Sequence, residues 1–420
     1  MTDHPLDPLQ PLTMPPVRLK EKLTAKKVTT PEPGVHIVDF GQNFTGIPEV
    51  DLRVPAGTKI TFRFGELMNE DGSLNPMTSV CGQIKGMRKQ KDGTMRPVGG
   101  PGAPEIAWQQ NVYIARGGGL ETFRPDFTFH GFRYMEITGL PKAPAKETCR
   151  AFPIRTDVAN AGSFSCSNER LNDIQEICRN TFLAGIMTVQ SDCPHRERFA
   201  YGGDIVATSE AFMMNFDMEG FYAKTARDWA DAARPDGRFT DTAPFVGIDY
   251  CGVGWSMVHP QLLEQLYNHY GDLSLLKEQV PAAIKWLDGE AARRKDGLVT
   301  KGLGDHEALV KARGPVLSTP MFVNTALRVA RLARIVGLDA DAKRFEEMAK
   351  QSAAAWSTEF LDPGTGKVGD GTQTNQVFAL GFNAAPDAAR KAVFDHLVKD
   401  LNAPEDSPRL TTGIYGTWLL

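Results

Sequence analysis

Gly162-Ser163-Phe164-Ser165-Cys166-Ser167 is followed by Leu171, Ile174, Ile177, Cys178 and Phe182, and across it the spacing of apolar residues changes from two to three and four. A period of two suits a half-buried strand, whereas three and four keep one face of a helix against a core. The change divides the 420 residues into a strand-rich first third and a helical remainder. Ser167 is the expected N-cap of the first helix, since its hydroxyl can accept from an orphaned first-turn amide.

Toward the N-terminus, Val35-His36-Ile37-Val38-Asp39-Phe40 and Lys59-Ile60-Thr61-Phe62-Arg63-Phe64 alternate, and residues 127–137 complete the set. Pro55-Ala56-Gly57 and Asp71-Gly72 punctuate the runs, while residues 81–119, heavy in glycine, lysine and proline, read as a surface excursion. The expectation is a tail or linker over 1–30 and a β-sandwich over 31–150. Toward the C-terminus, helices are expected over 204–215, 218–233, 257–270, 273–293, 319–336, 341–360, 374–381 and 388–401. Gly271-Asp272, Asp296-Gly297 and Asp362-Pro363-Gly364 mark breaks between them. No fixed repeat period supports a solenoid. Helical hairpins closed into a toroid over 151–420 are therefore expected, with a site built from the loops at one end.

Composition narrows the function. With 41% hydrophobic and 23% charged residues the chain is in the globular range, and a formal net charge of −4 offers no general attraction to nucleic acid or anionic membrane. Lys85, Arg88, Lys89 and Lys91 form only a local basic cluster. Cys81, Cys149, Cys166, Cys178, Cys193 and Cys251 stand singly, without a C-x-x-C pair, and read as mostly ordinary buried thiols rather than a zinc module or disulfide framework. Met1 to Pro16 lack the basic and apolar regions of a secretory signal, which implies a cytoplasmic protein if Met1 is the true start.

Chemistry is densest at Asp192-Cys193-Pro194-His195-Arg196-Glu197-Arg198-Phe199-Ala200-Tyr201-Gly202-Gly203-Asp204. Carboxylates and guanidiniums can hold sugar hydroxyls, a ring can stack on an apolar sugar face, and one acid can protonate a leaving oxygen. Glu197 is the candidate acid. Arg196 and Arg198 would by themselves hold it ionised, so the role requires Asp192 and Asp204 to absorb those cations. A loop-pinning Arg/Glu/Asp network is the plain structural alternative. Zinc at Asp192, Cys193, His195 and Glu197 is disfavoured, because ligands so close together around a proline cannot wrap one ion. No metal or other cofactor is expected. Cys193 with His195 as a nucleophilic pair is weaker still. Of the tryptophans, Trp108, Trp229, Trp286, Trp356 and Trp418 read as core or rim, and Trp255, in a glycine-rich loop, as a sugar platform.

The block Asp-Cys-Pro-x-Arg-Glu-Arg, followed by an aromatic and Gly-Asp, resembles the signature of the bacterial α-L-rhamnosidases of glycoside hydrolase family 78. The likeness continues in Asp39-Phe40-Gly41-Gln42-Asn43, Phe129-His130-Gly131-Phe132-Arg133-Tyr134, Pro235-Asp236-Gly237, Gly254-Trp255 and Leu410-Thr411-Thr412-Gly413. It implies a β-sandwich followed by an (α/α)6 toroid, here incomplete at its C-terminal end, and inverting hydrolysis of a terminal α-L-rhamnoside. It also implies Glu197 as general acid, Asp192, Arg196 and Asp204 on the rhamnose hydroxyls, Tyr201 stacking where the family usually has tryptophan, and Trp255 and Asp305 from other loops. The family's general base lies in a segment beyond Thr411-Thr412-Gly413, so the expectation is that this chain lacks it. Ser256 and His306 stand where the family tends to have an acidic residue and a tryptophan. Partners would be rhamnose-containing glycosides or polysaccharides. A carbohydrate-binding remnant without turnover, and a barrel of the same build acting on another deoxysugar or a uronic acid by hydrolysis or lysis, stand as alternatives.

Overall fold

The computed structural model describes residues 11–79, 86–89, 93–98, 109–402 and 409–420. Cys81, Lys85, Lys91 and Trp108 lie outside them, and only the backbone is described at Arg88 and Lys89. Two compact units emerge: one comprises Pro15–Asp157 and Ser163–Phe199, the other Ala200–Leu420 with Val158–Gly162 and the described part of Met1–Met14.

The first unit is built on an antiparallel nine-stranded sheet. Three short strands, β1 (Val17–Leu19), β2 (Leu23–Thr24) and β3 (Lys27–Glu32), lie in the stretch read from composition as a tail. They are held by pairing rather than by an apolar pattern of their own, β1 and β2 on β11 (Cys149–Thr156) and β3 on β4 (Val35–Leu52). Strand β4 is 18 residues long and also pairs with β9 (Glu121–Phe123), β10 (His130–Thr138) and β11. Strand β10 continues to β5 (Lys59–Gly65), which pairs with β8 (Gln110–Ile114). A separate ladder joins β6 (Gly86–Lys89) to β7 (Met95–Val98). Alternation along β5, and along β10 across a register shift between Phe132 and Tyr134, turns Ile60, Phe62, Phe64, Phe132, Met135 and Ile137 into one core. Helix α1 (Glu169–Ala184) and the small hairpin of β12 (Ile186–Met187) and β13 (Val189–Gln190) complete this unit.

Helix α1 has the expected period but buries no residue. Its N-cap is Asn168 rather than Ser167: the Asn168 Oδ1 accepts from the Arg170 amide at 3.1 Å. Both side chains have capping chemistry, and the amide reached is the one two residues beyond the actual cap.

The second unit is helical. Its inner members are α2 (Gly202–Asn215), α5 (Val258–Tyr270), α7 (Pro315–Ile335), α9 (Gln373–Gly381) and α11 (Ile414–Leu419). Each touches the next, and α11 touches α2, so they form a cycle. The one-turn α4 (Val253–Ser256) leads into α5. Helices α3 (Glu219–Asp231), α6 (Leu273–Ala292), α8 (Asp339–Phe360) and α10 (Asp387–Leu401) pack against that cycle. Trp229, Trp286 and Trp356 are fully buried here. Their indoles pack as core: Trp286 stacks on Phe239 at 5.3 Å, and Trp356 Nε1 donates to the Val316 carbonyl. Among the described residues no helix is long and apolar enough to cross a membrane, and no group of three or more His, Cys, Asp or Glu could hold a metal ion.

Candidate active site

The loop after β13 closes on itself. The Asp192 amide donates to the Phe199 carbonyl at 3.0 Å, and the Phe199 amide donates to Asp192 Oδ1 at 3.0 Å. The Cys193 thiol donates to Asp192 Oδ2 at 2.8 Å, while its sulfur accepts from the Glu197 amide at 3.2 Å. Asp192 and Cys193 therefore shape the turn that presents Glu197. Burial pushes the Asp192 carboxyl above its usual range; the thiol and the Phe199 amide offset part of that, and the nearby Glu197 charge adds to it.

Arg198 occupies the left-handed region at φ 59°, where a residue with a β-carbon is disfavoured. Its guanidinium lies 4.4 Å from the centroid of the Phe129 ring, with Nη2 donating to the Phe129 carbonyl at 3.1 Å and to Gln109 Oε1 at 3.2 Å. The expected neutralisation by Asp192 is thus replaced by a cation–π contact and two neutral acceptors. The same cation, with burial as the larger cause, drives the His130 imidazole down to about 3. His130 stays neutral between Gln109 and Asn111 and stacks on Phe64 at 3.9 Å. His195 pairs with Glu66 at 2.9 Å and its carbonyl accepts from Gln109 Nε2. Glu66 and Gln109 were invisible in the sequence as parts of this loop's support. Arg196 is exposed and Glu197 half-buried.

In the helical unit, Tyr201 is the residue before α2 and bridges to Thr242. Asp204 lies in the first turn of α2, where the helix dipole favours a negative charge. Its charge reaches the Cys251 thiol and Tyr415 hydroxyl, both of which burial, as the larger cause, pushes well up. Trp255, in α4, is only 4% exposed. It meets His306 and Tyr415 edge-on at 6.0 and 5.6 Å. A β-carbon on Gly203 would fall 2.4 Å from Trp255 Cε2, so glycine is required there for the indole to seat.

Asp305 is 6% exposed and engaged on both oxygens. Oδ2 accepts from Gly413 N at 2.7 Å and Thr374 Oγ1 at 3.1 Å, and Oδ1 from Tyr415 N at 2.9 Å and Gly416 N at 3.2 Å. It caps α11. The sequence reading also missed Asp241, a buried acid in Thr240-Asp241-Thr242 whose Oδ2 accepts from the Tyr250 and Cys251 amides at 2.6 and 2.8 Å. Burial raises its carboxyl, against the pull of those two amides. Nothing in its local sequence announces that role.

A strand-rich sandwich domain followed in the chain by inner and outer helices, with an acidic loop at the start of the inner cycle, defines a six-hairpin glycosidase architecture. Residues 159–420 match the family model described as the bacterial α-L-rhamnosidase 6 hairpin glycosidase domain, and residues 29–154 the bacterial α-L-rhamnosidase concanavalin-like domain. The chain belongs to this bacterial α-L-rhamnosidase family. It is 31% identical over 407 residues to an α-L-rhamnosidase of Streptomyces avermitilis, covering 96% of this chain and 36% of the relative. The crystal structure of the Streptomyces avermitilis α-L-rhamnosidase complexed with L-rhamnose superposes with a TM-score of 0.84 at 30% identity, covering 97% of this chain and 37% of that one. The structure of the α-L-rhamnosidase from Dictyoglumus thermophilum gives 0.83 at 28% identity, covering 96% of this chain and 44% of that one. The chain thus spans well under half the length of these relatives.

Proposed function

We propose that the protein to which this chain belongs hydrolyses terminal α-L-rhamnosides with inversion, and that Glu197 is the general acid. The observation that carries the reading is the closed turn on which Glu197 sits. Asp192 and Cys193 hold the Glu197 and Phe199 amides, and Arg198 anchors the same turn on Phe129 and Gln109. An acid must meet the departing oxygen within hydrogen-bond reach, and a turn held at both ends fixes where it stands. Asp192, Arg196, Tyr201, Asp204 and Trp255 are proposed as sugar contacts. Asp305 is proposed to act through the α11 segment that it caps. An inverting reaction also needs a carboxylate to activate water on the opposite sugar face. We assign that base to protein outside these 420 residues, in keeping with relatives of which the chain spans 36% to 44%.

The test is hydrolysis of an aryl α-L-rhamnoside by the longer protein, with the first-formed anomer read by NMR. Glu197→Gln is expected to lower kcat by about 10²–10⁴ while sparing rhamnose affinity. Unchanged turnover in that variant would remove Glu197 from the role, and absence of rhamnose release by the parent protein would remove the reading itself.

A further inference from the structure

We propose that Glu66, which directly follows β5 in the sheet unit, is a positioning residue for the proton donor and acts on Glu197 through His195. The inference rests on the reading of Glu197 as general acid and adds what sets its place. The acidic loop as far as Phe199 belongs to the compact unit of the sheet. The acid is therefore carried by strands far from it in the chain.

His195 stands two positions before Glu197 and is 8% exposed. Its Nε2 lies 2.9 Å from Glu66 Oε2, while Nδ1 is buried without a partner among the described residues. The bond to Glu66 is thus the ring's one polar tie, and it decides which way the imidazole faces. A hydrogen bond to a carboxylate is roughly twice as strong as a neutral one. Glu66 is fixed in turn: Oε1 accepts from Asn43 Nδ2 at 2.7 Å, and its amide donates to Thr78 Oγ1 at 3.2 Å. Burial raises the Glu66 carboxyl, but the bonds from His195 and Asn43 outweigh it and hold the group below its usual range.

The main chain beside the ring is pressed onto the sheet. A β-carbon on Gly131 of β10 would fall 2.9 Å from His195 Cβ and 3.1 Å from Pro194 Cγ, so glycine lets the loop lie against the strand. The His195 carbonyl accepts from Gln109 Nε2 at 2.8 Å, and the Glu197 amide donates to Cys193 Sγ. Glu197 therefore follows a residue tied through both its ring and its carbonyl. Loss of the ring tie frees the imidazole to turn and the loop to shift, and a displacement of about 1 Å can cost about 10² in rate. The carbonyl tie and the Asp192 turn remain, so the expected cost is smaller.

The longer protein is assayed on benzyl α-L-rhamnoside, whose leaving alkoxide needs a proton, and on 2,4-dinitrophenyl α-L-rhamnoside, whose phenolate departs without one. Glu66→Ala is expected to lower kcat on the benzyl substrate about tenfold more than on the dinitrophenyl one, with KM changed less than about twofold. The comparison uses two substrates on one preparation, so loss of folded protein cancels from it. Glu66→Gln, which keeps an acceptor oxygen for the imidazole, should recover most of the benzyl activity. His195→Ala should repeat the Glu66→Ala ratio, and it carries the test if Glu66→Ala does not fold. Glu197→Gln should show the same preference more strongly. Equal losses on the two substrates, or none, in Glu66→Ala and His195→Ala, with Glu197→Gln still discriminating, overturn this inference and leave the acid assignment standing. If Glu197→Gln does not discriminate, the acid lies elsewhere and both fall.

Discussion

Arg198 and Asp305 show how single side chains fix local structure from opposite directions. Arg198 matters for what its guanidinium reaches: from a left-handed backbone it lies over the Phe129 ring and donates to the Phe129 carbonyl and to Gln109. Asp305 matters for what comes to it, three backbone amides and a hydroxyl. A buried carboxylate holding that many donors leaves them orphaned when truncated. Asp305→Ala is therefore expected to destabilise the helical unit by about 3 kcal/mol, measured as a lowered urea midpoint. The near-isosteric Asp305→Asn should lose less, because an amide oxygen can still accept. An alanine variant with the parent midpoint would show that α11 is held by its apolar contacts alone.

Among the elements, the segment between β8 and β9 depends on one acid. Glu121 accepts from the Tyr113 hydroxyl at 2.5 Å and from the Arg116 and Gly117 amides at 2.9 and 2.8 Å. These bonds, the tyrosine's foremost, lower its carboxyl from 4.5 to about 2. A depressed acid binds fewer protons folded than unfolded, so it contributes stability above its unfolded value that is lost as pH falls toward 2. Glu121→Gln is expected to lower the sheet unit's thermal midpoint at pH 7 and to flatten its decline between about pH 5 and 2. A variant whose acid decline parallels the parent's would move that dependence elsewhere. Asp39 with Arg133, Asp51 with Arg150 and Asp157 with Lys20 are further depressed acids of this unit, each held down first by a hydrogen bond from the named cation.

Over the whole molecule the uncovered surface is as informative as the core. Leu171, Ile174 and Ile177 repeat at three along α1 and are 47%, 48% and 64% exposed. A stripe of that kind on a helix that buries no residue favours association. Light scattering of the 420-residue chain is expected to show concentration-dependent growth, which Ile174→Lys/Ile177→Lys reduces. Identical scattering from chain and variant would show that the stripe does not drive it.

Local periodicity and turn chemistry suffice to place β5, β10 and nearly every helix of ten residues or more, because strand and helix periods and Gly-Asp or Asp-Gly breaks are properties of a few neighbouring residues. The acidic loop was legible for the same reason: its chemistry is packed into thirteen consecutive positions, Asp192 to Asp204. The short β1 to β3 and the terminal α11 were not, since pairing partners and the Asp305 cap hold them rather than any pattern of their own. Neither was the diversion of Arg198 to Gln109, 89 positions away. The sequence alone determined the longer helices, the alternating strands β5 and β10, and the run of charged residues from Asp192 to Asp204. Tertiary closure decided which charges meet, because ion pairs and buried caps depend on distances in space that separation along the chain does not encode.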